Sequence, residues 1–326
     1  MKLASIRNGR PDGALAVVSR DLGRAVMATD IAPDMITAVE TWEQVQPALS
    51  RLSDDLNAGR ASGSFAFDPA QAMAPLPRAR QFLDASAFLN HGRLMDTAFG
   101  MDGNPDLETI PMVYQGLSDD FRGPTEQIEF PDTTLGIDFE GEFGVILGRV
   151  PMGATPDQAA GAIRLLVQLN DWSLRALAAR EMRVGFGWVQ AKPTCSFAPV
   201  AITPDELGTA WQDSTIHCDL NIWRGDDHLG HANGREMHFS FTDLAAWCAR
   251  TRTIHPGAIL GSGTVASTDR SRGSSCLSEV RALEIIAEGK PRTEFLSFGE
   301  RIRMEARLPD GQPPFGTIDS IVAQQG

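Results

Sequence analysis

Only three lysines, Lys2, Lys192 and Lys290, and a single tyrosine, Tyr114, stand in this chain of 326 residues, so each of these rare side chains calls for a reason. Arginine supplies the other 26 of the 29 basic residues. Basic charge as a whole is outweighed: 42 acidic residues set the net charge at −13, a field that repels a phosphate backbone or an anionic bilayer. Nucleic acid is therefore not expected as a partner. No apolar run approaches the ~20 residues that span a membrane, and the opening Met1-Lys2-Leu3-Ala4-Ser5-Ile6-Arg7 lacks the apolar stretch of a signal peptide. The expectation is a cytoplasmic protein with no membrane partner. The four cysteines, Cys195, Cys218, Cys248 and Cys276, lie far apart without a CxxC pair, which fits reduced thiols better than a disulfide framework.

Several familiar motifs are missing as well. The chain has no GxSxG elbow, no GxxxxGK[ST] loop and no HExxH. Gly261-Ser262-Gly263-Thr264-Val265-Ala266 fits a dinucleotide fingerprint in letters, but the Ser-, Arg- and Gly-rich residues that follow are poor helix formers, and the βαβ context is wanting. No organic cofactor is expected.

What remains is an ordinary globular balance, 42% hydrophobic and 22% charged, over a length that suits one large domain or two unequal ones. Short β-branched runs at 2–7, 14–20 and 23–29, separated by Gly- and Asp-rich turns, predict an antiparallel meander. Helical spacing of Val39, Trp42, Val45, Leu49, Leu52 and Leu56 predicts a helix over 37–57. The proline-rich stretch 67–77 suits a linker, which places a small N-terminal β-rich domain with one helix at 1–77 and a larger domain at 78–326. In the larger part, Thr155-Pro156-Asp157-Gln158 is a capping box that predicts a helix to about residue 166, and Thr203-Pro204-Asp205-Glu206 repeats the signal. Strands are expected at 215–223, 236–241, 258–265 and 299–306. Two capped helices among many short strands point to an α+β, mostly β fold.

The chemistry concentrates in a few segments. In residues 137–148 the apolar side chains at Ile137, Phe139, Phe143, Val145 and Leu147 predict a strand with one buried face, and Asp138, Glu140 and Glu142 then share the other. Like charges so placed are favourable around a cation, or they belong to a solvated edge. Asp171 ends an apolar run, where it is either a ligand or the N-cap of a helical stretch over 174–182. Asp84 opens the segment after the linker, and His91 follows seven residues on as a candidate proton-transfer group or a structural histidine. An all-oxygen carboxylate set favours Mg²⁺ or Ca²⁺, with Mn²⁺ as a further option, over zinc. His228 and His231 lie in a polar turn that reads as an exposed hairpin. Lys192 sits in an apolar, glycine-rich stretch, where a buried lysine needs a carboxylate or bound anion unless it snorkels out.

Taken together, these segments resemble the fumarylacetoacetate hydrolase family. Asp84 with His91, Phe139-Glu140-x-Glu142-Phe143, Asn170-Asp171-Trp172-Ser173-x-Arg175, Lys192-Pro193 and Gly261-Ser262-Gly263-Thr264 occur in the family's order and approximate spacing. The resemblance implies a β-roll catalytic domain, usually in a homodimer, and metal ligands at Asp84, Glu140, Glu142 and Asp171. It implies hydrolytic cleavage of a carbon–carbon bond in a dicarbonyl acid, with His91 as general base, Glu279 orienting it, Lys192 offsetting negative charge, and Tyr114 and Thr264 contacting substrate. The chain departs from the family's pattern at Ser86, where animal fumarylacetoacetases carry tyrosine, and at Ala178 and Met182, which replace polar and aromatic contacts. Related activities on the same platform, acylpyruvate hydrolysis, oxaloacetate decarboxylation and 2-oxo-acid hydration or isomerisation, stay open, as does a Ca²⁺-stabilised binding module.

Overall fold

The computed structural model describes residues 1–100 and 102–326. Eleven strands form its larger sheet. From one edge the order is Phe65–Ala66, Arg24–Met27, Ala14–Val18, Lys2–Ile6, Ala201–Ile202, Ile163–Asp171, Gly141–Leu147, Ala258–Gly261, Gln81–Ala85 and Val113–Gly116, with Cys195–Phe197 pairing Ile163–Asp171 beside that path. Neighbours run antiparallel except Ala258–Gly261 with Gln81–Ala85. The predicted meander thus continues into the rest of the chain, because Lys2 pairs with Ile202. A second sheet of five strands, Asp227–Asn233, Asp219–Arg224, Arg301–Arg307, Thr317–Gln324 and Ile128–Phe130, packs against one face of the first. The fold is mixed and mostly β. Among the described residues, no helix is long and apolar enough to cross a membrane.

Two apolar layers hold the sheets. One lies between them, where Phe143, Val145, Leu147 and Leu166 meet Leu220, Ile222, Met304 and Ile318. The other joins Leu3, Leu15, Val17, Ile146, Val167 and Ile259 to Met35 and Leu49 of the N-terminal helices. Successive residues of the central strand Gly141–Leu147 serve opposite layers, so all seven are buried. Gln168, fully buried, is a polar bridge between the sheets: its Nε2 donates to the Met304 carbonyl at 3.0 Å and its Oε1 accepts from the Ala306 N–H at 2.8 Å.

Local propensity and tertiary pairing disagree in four places. The helix expected over 37–57 is two helices, Met35–Glu40 and Trp42–Asn57, because the Thr41 hydroxyl bonds back to the Thr37 carbonyl at 2.7 Å and Thr41 leaves helical geometry. The capping box at Thr155 starts only the short helix Pro156–Ala160, and residues expected to continue it form the strand Ile163–Asp171, claimed on both sides by sheet partners. The second capping signal gives a 3₁₀ helix, Pro204–Ala210, because the Thr203 hydroxyl is taken by the Met1 amino group and Gly208 kinks the chain. The strand expected over 236–241 is absent; Ser240 caps the helix Phe241–Cys248 instead. The helices Leu89–Phe99 and Leu277–Glu288 were not foreseen either. The proline-rich stretch lies along the first strand, where the Ser5 hydroxyl donates to the Pro75 carbonyl at 2.7 Å.

Gln168→Leu keeps volume but orphans two buried backbone groups, at roughly 1–3 kcal/mol each. Urea unfolding is expected to show a loss of that order; an unchanged midpoint would mean the bridge carries no net stability.

Candidate metal centre

Three carboxylates arrive at one point from three strands of the larger sheet. Asp84 comes from Gln81–Ala85, Glu142 from Gly141–Leu147 and Asp171 from the end of Ile163–Asp171; each is at least 97% buried, and one oxygen of each lies within 4.8 Å of the others. The strand Ala258–Gly261 runs between the first two, and Gly261 pairs with Asp84 on one side and Gly144 on the other. A Cβ at Gly261 would stand 2.2 Å from Asp84 Oδ1 and 3.3 Å from Glu142 Oε2, so only glycine lets the acids converge. The N–H of Gly263 donates to Asp84 Oδ1 at 3.3 Å.

Burial and the nearby Asp171 carboxylate push the Asp84 pKa up to about 8. Burial, with Asp84 and Asp171 beside it, raises Glu142 well above the usual carboxyl range, and neither of its buried oxygens has a hydrogen-bond partner among the described residues. Orphaned, converging carboxylate oxygens fit a hard divalent cation such as Mg²⁺, Ca²⁺ or Mn²⁺.

Positive charge stands on one side only. Lys192 Nζ lies 2.6 Å from Glu140 Oε2 and 2.6 Å from Asp171 Oδ2, so the lysine that the sequence marks as buried has two carboxylate partners. Burial pulls its pKa down, but Asp171 and Glu140 outweigh that and hold it well above the ordinary value. Glu140 is likewise raised by burial and lowered further by Lys192 and Arg175, and stays ionised. Both of its oxygens face cations, Oε2 toward Lys192 and Oε1 toward Arg175, next to the three converging acids. Arg175, at the start of the helix Arg175–Val184, places Nη2 2.7 Å from Glu140 Oε1 and donates from Nε to Asp138 at 2.8 Å.

Asp138 corrects the sequence reading. The strand breaks after Ile137–Asp138 and resumes at Gly141, so Asp138 does not share a face with Glu140 and Glu142. Its carboxylate instead accepts from the N–H groups of Leu277 and Ser278, at 2.8 and 3.0 Å, at the start of Leu277–Glu288. Free helix N–H groups attract a carboxylate, and these two claim it. Asp171 is also no N-cap, since the following helix starts after Leu174.

The remaining expected residues surround this group. The Tyr114 hydroxyl donates to Asp171 Oδ2 at 2.8 Å and its ring packs edge-on against Trp188. His91 Nδ1 lies 2.9 Å from Glu279 Oε1, and the other Glu279 oxygen accepts from the Ser275 N–H at 3.2 Å. Thr264 is buried in the loop that follows Gly263. His228 and His231 stack on each other in a hairpin of the second sheet. Two neighbours escaped the sequence reading of the site: Arg175, quoted only as part of a motif, and Cys195, whose thiol donates to Asp171 Oδ1 at 3.1 Å and which nothing in its local sequence distinguishes.

Fold and site together define a mixed, mostly β protein with a buried carboxylate cluster suited to a divalent cation. The chain belongs to the fumarylacetoacetate hydrolase family: residues 81–323 match the Fumarylacetoacetate (FAA) hydrolase C-terminal family and residues 1–78 the Fumarylacetoacetase N-terminal domain 2. It is 27% identical over 167 residues to a 2,4-didehydro-3-deoxy-L-rhamnonate hydrolase of Sphingomonas sp. (strain SKA58), covering 50% of this chain and 56% of that one. It is 26% identical over 157 residues to a mitochondrial oxaloacetate tautomerase of Rattus norvegicus, covering 47% and 48%. These matches span about half the length of each relative. The maleylpyruvate hydrolase of Sphingobium sp. SYK-6, solved with manganese(II) ion and pyruvate, shares the fold over 100% of both chains with a TM-score of 0.65 and 18% identity. A 2-hydroxyhepta-2,4-diene-1,7-dioate isomerase of Mycobacterium marinum does so over 100% and 99%, with a TM-score of 0.61 and 16% identity.

Cation binding must displace protons from Asp84 and Glu142. Calorimetry with Mg²⁺ or Mn²⁺ is expected to show proton release and an affinity that climbs from about pH 6 to about pH 8. Raised carboxyl pKa values stabilise the cation-free fold at low pH, and that contribution disappears as pH rises through about 8. The gain in melting temperature on adding the cation should therefore grow over the same interval; a pH-independent affinity would show acids already ionised.

Proposed function

We propose that this chain is a divalent-cation-dependent hydrolase that cleaves a carbon–carbon bond in a β-diketone acid of the fumarylacetoacetate or acylpyruvate kind. The observation that carries the reading is the His91–Glu279 pair: a partly exposed imidazole 2.9 Å from a buried carboxylate whose own anchor, Ser275, accepts from the Gly141 N–H at 3.0 Å, next to Glu142. A cation site used only to hold the fold needs no such base.

Asp84, Glu142 and Asp171 would hold the cation, with Glu140 at its edge. When bound there, the cation supplies Lewis acidity to the oxygens of a chelating dicarbonyl substrate. Glu279 accepts from Nδ1–H of His91, which leaves Nε2 as the basic nitrogen. Nε2 takes a proton from water as the hydroxyl adds to the distal keto carbon. The bond between that carbon and the central methylene then breaks, its electron pair passing to the methylene carbon and onward to the neighbouring carbonyl as an enolate. Imidazolium returns the proton to the methylene carbon, so the products are a carboxylic acid and a methyl-ketone acid, a 3-oxo acid from fumarylacetoacetate or a 2-oxo acid from an acylpyruvate. Lys192 keeps Glu140 ionised through this cycle, stands 2.6 Å from Asp171 and presents positive charge to the developing enolate. Tyr114, fixed by Asp171 and Trp188, and Thr264 form walls for the substrate.

The tautomerase relatives support a second reading, in which the same base only moves a proton α to a carbonyl. The two are separated by the ultraviolet absorbance of fumarylacetoacetate and of an acylpyruvate, followed with Mg²⁺ and again with EDTA. Cation-dependent loss of either supports the hydrolase; no loss, with cation-dependent acceleration of oxaloacetate keto–enol exchange, replaces it with the tautomerase. His91→Ala is expected to lower turnover about 10²- to 10⁴-fold while leaving cation affinity unchanged. An unaltered rate in that variant would refute the assignment of the base.

A further inference from the structure

We propose that His91, Cys276 and Glu279 form a second cation site, selective for a thiophilic ion such as Zn²⁺, and that filling it stops turnover. The inhibitory half rests on the role given to His91 above; the binding half does not.

One donor atom from each of the three residues lies within 4.8 Å of the other two. The set is one imidazole nitrogen, one sulfur and one carboxylate oxygen, the mixture that suits Zn²⁺ and that Mg²⁺ or Ca²⁺ does not compete for. It shares no ligand with the all-oxygen group of Asp84, Glu142 and Asp171, so the two sites divide hard from soft ions by donor chemistry.

Two packed helices set this geometry. Cys276 is the N-cap of Leu277–Glu288, and Glu279 stands one turn on, its N–H donating to Cys276 Sγ at 3.4 Å. His91 comes from the first turn of Leu89–Phe99, which packs against that helix. The Ser275 N–H holds one Glu279 oxygen and leaves the other facing His91 at 2.9 Å. The fixed charges acting on Cys276 are Glu279, Asp138 and Glu140 against Arg175, a surplus of negative charge that opposes a bare thiolate and favours a thiolate paired with a cation. Cys276 is 1% exposed, whereas the His91 side chain is 17% exposed, so an ion enters past the imidazole and keeps a fourth position for water.

Binding is a simple exchange: the cation replaces the thiol proton, which passes to solvent, while the His91 proton moves from Nδ1 to Nε2 by way of solvent, so that the neutral imidazole offers its Nδ1 lone pair beside Glu279. With Nδ1 on the cation, Nε2 carries the imidazole proton and can no longer take one from water. Inhibition follows without displacement of Mg²⁺ from the carboxylate group.

Co²⁺ titrated into the Mg²⁺-loaded protein is expected to give a near-ultraviolet sulfur-to-metal charge-transfer band. The band should vanish in Cys276→Ser and persist in Cys195→Ser, which separates the new site from the thiol beside Asp171. Serine is itself a favoured N-cap, so Cys276→Ser retains the helix start and its basal turnover. Zn²⁺ should inhibit the native enzyme reversibly on chelation, with the half-inhibiting concentration at least about tenfold higher in Cys276→Ser. No band in the native protein, or a band lost only in Cys195→Ser, overturns the site. A Cys276-dependent band with no effect of Zn²⁺ on turnover keeps the site and overturns His91 as the base.

Discussion

Repulsion among Asp84, Glu142 and Asp171 is the constraint around which the rest of this protein is arranged. At separations of 4.8 Å or less, two ionised carboxylates repel by at least about 3 kcal/mol even at an effective dielectric of about 20. Three such pairs approach the whole stability of an ordinary domain, about 5–15 kcal/mol. The cation-free chain meets this by keeping protons on Asp84 and Glu142, and by surrounding Glu140 and Asp171 with Lys192 and Arg175. Four carboxylates against one lysine leave a surplus of three negative charges, of which a divalent cation removes two.

Such a cluster needs a rigid floor, and the sheet provides it. Glu142 lies on a strand buried on both faces, Asp171 on its neighbour, and Asp84 two strands away across Gly261. Convergence of the acids thus depends on one residue without a side chain in the strand between. The second sheet is tied behind this floor by apolar packing and by Gln168, three residues from Asp171 on the same strand. The His91–Glu279 pair belongs to different elements altogether, the helices Leu89–Phe99 and Leu277–Glu288. Carboxylate group and imidazole pair can therefore vary independently, which is consistent with similar proteins that include a hydrolase and a tautomerase.

Much of this was legible in the chain. Alternation made the N-terminal meander and the Gly141–Leu147 strand readable, and the scarcity of lysine singled out Lys192 before any partner was known. Errors arose where a residue's partner is distant in sequence. Thr155 and Thr203 carry the same cap signal, yet one starts a single turn and a half before a strand takes over and the other spends its hydroxyl on Met1. Asp138 matched Glu140 and Glu142 by parity alone; the helix N–H groups that claim it begin at Leu277, well over 100 residues on. Cys195 shows no local sign of its bond to Asp171, because that contact exists only through the pairing of Cys195–Phe197 with Ile163–Asp171.

The contrast between the two buried cations shows why this arginine-rich chain has lysine at residue 192. Arg175 serves two acceptors that lie apart, with Nε turned to Asp138 and Nη2 to Glu140, a task that suits a planar fork with several donors. Lys192 has to place one charge at 2.6 Å from two carboxylates, one just before the strand Gly141–Leu147 and one at the end of Ile163–Asp171, and a guanidinium fork in that position would extend its remaining donors toward the converging acids. A compact ammonium neutralises its neighbours while leaving the point where Asp84, Glu142 and Asp171 meet to a divalent cation. The choice of lysine over arginine at this position is thus a choice to balance the site's charge without filling it.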